Sequence, residues 1–178
     1  IDYNVSLDNG NTNLSIPYAN CVLSVPELDS VLVGGLGGVV LINVTTKNIT
    51  KFEIDSNRDL LIKDIKKYEN TIYILDESKL YFYNIVTGQI SVDTAVGLPK
   101  NLHSIISVFG NNLSIGTKDG IYARKISASS WNKVVSTTKA VNIMSSPDAA
   151  LSVSDDGECF YSTDGFNWNK VGVISNKI

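Results

Sequence analysis

The chain is short of the residues that most often carry catalysis or grip nucleic acid. In 178 residues it has one histidine, two cysteines and one methionine, and its arginines are Arg58 and Arg124 alone. Lys and Arg number 15 against 18 acidic residues, a formal charge of −3. Without a basic excess to neutralise phosphates, nucleic acid is not an expected partner. His103 can neither build a metal site by itself nor imply a triad, and reads as a structural residue opening a strand. Cys21 and Cys159 match no zinc or redox spacing and are too few for a disulfide framework. They read as buried free thiols packed as small hydrophobes. No apolar run is long enough to span a bilayer, so this segment is not expected to insert into membrane. Ile1 opens neither a charged leader nor an apolar one, and the N-terminus reads as processed or truncated.

Apolar residues make up 43% of the chain and charged residues 19%. This composition and length suit one domain with a buried core. No segment holds a helical period over three turns, while β-branched and aromatic residues dominate the apolar runs. Those runs repeat. Val31-Leu32-Val33-Gly34, Ile72-Tyr73-Ile74-Leu75, Leu113-Ser114-Ile115-Gly116 and Leu151-Ser152-Val153-Ser154 recur at about 40 residues, the period of four-stranded propeller blades. Each is followed by a tight turn and an alternating run: Val39–Ile42, Leu80–Tyr83, Ile121–Arg124 and Cys159–Tyr161. With strands named A to D from the centre outward, blades are expected over 19–55, 60–93, 102–135 and 140–173. Residues 1–18 would be strands C and D of a further half blade. The expected fold is an all-β propeller of four-stranded antiparallel blades, about four and a half of them, forming part of a larger ring. The rival is a four-bladed closure with the N-terminal hairpin packed outside.

The turn Ser162-Thr163-Asp164-Gly165-Phe166-Asn167-Trp168 joins two such runs. It resembles a shortened Asp-box, the Ser-x-Asp-x-Gly-x-x-Trp hairpin of the BNR-repeat, sialidase-like β-propellers. A second copy, Ser6-Leu7-Asp8-Asn9-Gly10-Asn11-Thr12, keeps the spacing but has Asn13 in place of the aromatic. The resemblance implies a structural role for Ser6, Asp8, Gly10, Thr12, Ser162, Asp164 and Trp168, on C–D turns remote from an active site. The stretch Trp131-Asn132-Lys133-Val134 matches Trp168-Asn169-Lys170-Val171, which places both tryptophans at one point of outer strand D as blade-packing residues. Sialidases also hold their substrate carboxylate with three arginines, and two cannot make that cluster.

The resemblance puts the B–C and D–A loops around a channel mouth, and there they are acidic: Asp55, Asp59, Asp76, Glu77, Asp119, Asp155 and Asp156, with Asp93 beside them. Carboxylates gathered at one opening suit sugar hydroxyls or a hard cation such as Ca²⁺, although Asp-Gly is also what a tight hairpin requires. No cofactor motif is present. The glycine run Gly34–Gly38 has no Lys-Ser/Thr ending and no following helix, so it is not a phosphate loop. Sequons begin at Asn4, Asn13, Asn43, Asn48 and Asn112. Asn43, Asn48 and Asn112 would fall on the face opposite the acidic loops, as glycosylation candidates that leave the acidic face free. Lys63, Lys66 and Lys67 read as a solvated strand face.

The functional expectation is a non-catalytic recognition domain of an extracellular, cell-surface or virion-surface protein. It would bind a glycan or a cell-surface protein receptor, in assembly with other chains. A glycoside hydrolase fragment and a structural scaffold are the alternatives, since one fold hosts all three.

Overall fold

The computed structural model describes residues 18–54, 60–100, 103–136, 141–146 and 148–174. Within them the chain is all-β, built as four four-stranded antiparallel sheets. Sheet one holds β1 (Ala19–Val25), β2 (Ser30–Gly35), β3 (Gly38–Asn43) and β4 (Ile49–Phe52). Sheet two holds β5 (Ile62–Tyr68), β6 (Thr71–Asp76), β7 (Leu80–Asn84) and β8 (Ile90–Val92). Sheet three holds β9 (His103–Phe109), β10 (Asn112–Thr117), β11 (Gly120–Lys125) and β12 (Asn132–Ser136). Sheet four holds β13 (Val141–Ser145), β14 (Ala150–Ser154), β15 (Glu158–Ser162) and β16 (Asn169–Val173). In every sheet the strand order is the sequence order. Short connections between sequence neighbours favour this meander, because a two-residue turn can join only antiparallel strands. No helix among the described residues is long and apolar enough to cross a membrane.

The chain divides into two compact units between Val92 and Asp93. In the first unit, sheets one and two meet through their first strands, with β5 also against β2. Alternation along the strands points Val25, Leu32 and Val39 at Ile62, Ile65, Ile72 and Ile74, which form one buried cluster. Phe52 and Tyr83 add an edge-to-face contact at 4.8 Å between ring centres. The glycine run has a structural purpose. Gly35 pairs with Gly38 to close the β2–β3 turn, Gly37 takes φ +96°, and its N–H reaches the Leu60 carbonyl at 2.9 Å. Between β1 and β2 the chain makes a single 3₁₀ turn at Pro26–Leu28. Proline presets its first φ, and Asp29 closes it at φ +46°.

In the second unit β13 lies beside β9 and β10. Ile121, Val135, Ile143 and Phe160 make the core between sheets three and four, with Ile105, Val134 and Trp168 against it. As in the first unit, the first strand of one sheet neighbours the first strand of the next.

Gly34 sits where sheets one and two come closest. A Cβ there would fall 2.7 Å from Ile62 Cγ2, 2.8 Å from Cys21 Sγ and 2.9 Å from Ile65 Cδ1. Gly34→Ala is therefore expected to destabilise the protein by about 1–3 kcal/mol through overpacking, read as a lower urea midpoint at unchanged slope. Gly88→Ala meets nothing within 4 Å and is expected to cost about 1 kcal/mol, the left-handed backbone penalty alone.

Candidate functional site

The chemistry-bearing side chains gather at the turns, and each has an assignable task. At the end of β3, Asn43 Oδ1 accepts the Thr46 N–H at 2.7 Å and the Thr46 hydroxyl at 2.9 Å. Asn84, ending β7, does the same for the N–H groups of Val86 and Thr87, both at 2.9 Å. The two corners are equivalent down to their left-handed residue, Lys47 at φ +61° and Gly88 at φ +70°. Side-chain amides that bind the backbone two and three residues ahead favour turns over continued strand.

At the corner after β15, Ser162 Oγ donates to Asp164 Oδ1 at 3.0 Å and accepts the Gly165 N–H at 2.8 Å. Asp164 Oδ1 collects the N–H groups of Phe166 and Asn167 at 2.8 and 2.7 Å. The Asn167 carboxamide donates to Oδ2 at 2.6 Å. Trp168 Nε1 donates back to the Gly165 carbonyl at 3.2 Å. Partial burial alone would raise the Asp164 carboxyl. The donors of Asn167, Phe166 and Ser162 outweigh that and hold it at about 2. The shortened motif thus still closes its turn, with Gly165 at φ +73°. The corner also faces sheet three: Asn112 Nδ2 donates to the Asp164 carbonyl at 2.7 Å, and the Ser114 hydroxyl donates to the Gly165 carbonyl.

Sheet three solves the same corner with a cation, a residue that sequence reasoning did not single out. Arg124, one residue before the end of β11, is buried. Its Nη1 donates to the carbonyls of Lys125, Ile126 and Ala128 at 3.1, 2.6 and 2.9 Å. Nη2 pairs with Asp93 Oδ1 at 3.0 Å, and Asp93 Oδ2 accepts Trp131 Nε1, also at 3.0 Å. The guanidinium lies 4.9 Å from the Trp131 ring centre. Residues 93–97 are then stitched on by Val96 N–H to the Ser129 carbonyl at 3.0 Å and Trp131 N–H to the Val96 carbonyl at 2.8 Å. Trp131 and Trp168 each directly precede an outermost strand, β12 and β16. The available signal was position, since Arg124 stands where the other sheets carry a turn-building side chain.

The acidic residues expected to form a binding ring are occupied in varying degree by their own turns. Asp76 is fully buried; its Oδ1 accepts the N–H groups of Ser78 and Lys79 at 2.6 and 2.5 Å. Glu77 is exposed and pairs with Lys63 at 3.0 Å. Asp119 receives the Thr117 hydroxyl at 2.6 Å, the Tyr122 hydroxyl at 3.1 Å and Lys133 Nζ at 3.0 Å. Burial works against ionisation of Asp119, but these three donors leave its carboxyl below the usual range. The Ser154 hydroxyl donates to Asp156 Oδ1, while Asp155 is exposed. Thr117-x-Asp119-Gly120 and Ser154-x-Asp156-Gly157 therefore repeat the hydroxyl-to-carboxylate contact of Ser162-x-Asp164-Gly165. Asp55 and Asp59 lie outside the described residues, as do Ser6, Asp8, Gly10 and Thr12. Among the described residues no group of three His, Cys, Asp or Glu side chains is arranged to hold a metal ion.

Of the sequons, Asn48 is exposed, Asn43 is the turn acceptor described above, and Asn112 commits its carboxamide N–H to sheet four. Asn4 and Asn13 lie outside the described residues. The lysines of β5 are not merely solvated: Lys66 pairs with Asp64 at 2.9 Å and Lys67 with Glu27 at 2.8 Å. Cys21 and Cys159 are free and half-buried, rather than fully buried. Burial, then the nearby Asp64 charge, pushes the Cys21 thiol up to about 12, so it is a poor nucleophile.

No known protein family matches the chain, and no curated protein does. Solved structures do. The extracellular domain of the proposed hybrid two-component system BT4673 of B. thetaiotaomicron superposes with a TM-score of 0.72 at 12% identity, covering 94% of this chain and 24% of that one. PorZ, a surface component of the type-IX secretion system of Porphyromonas gingivalis, gives 0.66 at 13%, covering 88% and 21%. The computationally designed protein Ika4 gives 0.63 at 13%, covering 83% and 92%. The chain thus spans about a quarter of the length of the two bacterial proteins, and identities this low establish likeness of fold.

Two substitutions separate the corner chemistries. Asp164→Ala is expected to cost about 1 kcal/mol, since partial exposure screens the carboxylate. The folded carboxyl titrates near 2 and an unfolded one near about 3.9. Its contribution is therefore complete above about pH 4 and lost as pH falls towards about 2. Urea titrations of the variant should show a shallower acid fall than the native chain. Arg124→Ala leaves Asp93 buried without its cation and is expected to cost about 3–5 kcal/mol, seen as a large drop in the thermal midpoint.

Proposed function

We propose that the four sheets are consecutive blades of a β-propeller and that the chain is a non-catalytic recognition domain of an extracellular or surface protein. The propeller reading is supported by β5 packing on β1 and β13 on β9, the first-strand-to-first-strand contact expected of radially arranged blades. The BT4673 and PorZ likenesses support the cellular setting, their described contexts being an extracellular domain and a bacterial surface component.

The observation that carries the non-catalytic reading is the employment of the carboxylates. A glycosidase needs two carboxyl groups free to face a substrate. Asp76, Asp119, Asp156 and Asp164 instead each accept hydrogen bonds that build their own turns. The charged groups exposed at the second-to-third-strand turns are Glu77, Lys118, Asp155 and Asp156, which suit hydrogen bonding to sugar hydroxyls or to a polar protein surface. Individual contacts of this kind are weak, and display in several copies would raise avidity. Ca²⁺ would enter only as a ligand of these exposed carboxylates.

A glycan array and a cell-surface protein binding screen test this reading, run beside a reducing-sugar release assay on the same glycans. Binding without sugar release is the expected result, with Asp155→Ala or Glu77→Ala weakening it by about threefold or more at an unchanged melting temperature. Sugar release by the purified chain, abolished by neutralising a turn carboxylate, would replace recognition with hydrolysis. Neither binding nor release would leave a scaffold role.

A further inference from the structure

Three Asn-x-Ser/Thr motifs fall within the described residues, and the fold treats their carboxamides differently. N-glycosylation needs two groups of the motif within an enzyme's reach, the carboxamide nitrogen and the hydroxyl two residues on. In Asn112-Leu113-Ser114 both are consumed. Asn112 Nδ2 donates to the Asp164 carbonyl at 2.7 Å, and the Ser114 hydroxyl, itself buried, donates to the Gly165 carbonyl. In Asn43-Val44-Thr45 the asparagine is half-buried, and its carboxamide oxygen is held by the N–H and hydroxyl of Thr46 at 2.7 and 2.9 Å.

Asn48-Ile49-Thr50 is built the other way. Lys47, at φ +61°, turns the chain just ahead of it. The Asn48 backbone is fixed: its N–H donates to the Thr46 hydroxyl at 3.3 Å, and its carbonyl accepts the Asn43 N–H at 2.9 Å. The residue is exposed, and its carboxamide has no hydrogen-bond partner among the described residues. Thr50 stands two residues along and so on the same side of the strand. It is exposed as well, while Ile49 between them is half-buried.

We infer that Asn48 is an N-glycosylation site, and that of these three motifs it is the one the folded chain offers. In the reaction Asn48 Nδ2 bonds to the anomeric carbon of a sugar carried on a polyprenol diphosphate. The bond from that carbon to the diphosphate oxygen breaks, and the diphosphate leaves with the electron pair. One amide proton passes to a base of the transferase. Modification in the cell rests on the surface-protein reading above, which supplies passage through a compartment holding such an enzyme. The position also deepens that reading. β3 runs from the β2–β3 turn to the β3–β4 turn, which sets the Asn48 turn about 17 Å from Gly38. Gly37 bonds to Leu60, and Ile62 pairs with Asp76, so Glu77 lies at the Gly38 end. A glycan on Asn48 therefore stands away from Glu77 and leaves it open to a ligand.

The test incubates the folded, unmodified 178-residue chain with polyprenol-diphosphate chitobiose and an oligosaccharyltransferase that accepts short peptides of all three motifs. Glycopeptide mass spectrometry reads the occupancy of each asparagine. Occupancy at Asn48 is expected to exceed that at Asn43 and Asn112 by about tenfold or more, because those two must first open their local structure. Asn48→Gln and Thr50→Ala should each abolish it, the second with the asparagine still in place. An unmodified Asn48, or Asn43 or Asn112 modified as fully as Asn48, overturns the assignment. On a glycan array the modified and unmodified chains are expected to give equal signals, and a signal lost on modification overturns the placement of the glycan away from Glu77. Because occupancy is read by mass, failure of the recognition reading shows separately, as no array signal from either form.

Discussion

The whole arrangement depends on one recurring constraint: the chain must reverse between the third and fourth strand of each sheet without leaving backbone donors or acceptors unmet. A polar side chain at the end of the third strand meets it every time, but by different chemistry. Asn43 and Asn84 offer a neutral amide oxygen to the N–H groups ahead of them. Asp164, held by Ser162, offers a carboxylate. Arg124 inverts the polarity and gathers carbonyls. An anion that collects N–H groups can stand partly exposed, because ionisation is favoured by its donors. A buried guanidinium also needs a counter-charge, which explains why Asp93 and Trp131 are drawn in only at the third corner.

The corners do more than turn the chain. In the second unit the Asp164 and Gly165 carbonyls are acceptors for sheet three, so the geometry of a local turn fixes how two sheets meet. The hydrogen bonds that shape the corner also pull the Asp164 carboxyl down, which ties acid stability to sheet packing. In the first unit the same office falls to backbone and glycine. The Gly34–Gly38 run lets β2 approach Ile62 and Ile65 and lets Gly37 bond to Leu60.

For function, the turns act as a filter on what the acidic residues can do. Of the seven carboxylates read from sequence as a possible ligand ring, the five among the described residues fall into three kinds. Asp76 is sealed in its turn, Asp119 and the exposed Asp156 are hydrogen-bonded at theirs, and Glu77 and Asp155 are exposed at the same turns. The other two, Asp55 and Asp59, lie outside the described residues. Among the described residues, few of these carboxylates are left exposed.

The four sheets and their turns were legible because strand alternation and turn chemistry are local: a Ser, Asn or Asp bonds two or three residues ahead, within the span a sequence displays directly. The period of the apolar runs placed the strands for the same reason, and the Trp-Asn-Lys-Val repeat marked two equivalent outer strands. What tertiary structure alone decided is which side chains are consumed. Asn112 reads as a glycosylation candidate yet bonds across 52 residues to Asp164. Asp93 reads as a loop acid yet pairs with Arg124, 31 residues away. Gly34 reads as part of a glycine run yet is a point of close approach to Ile62. Such partners are brought together by sheet packing, and only packing removes the water that would otherwise have satisfied them.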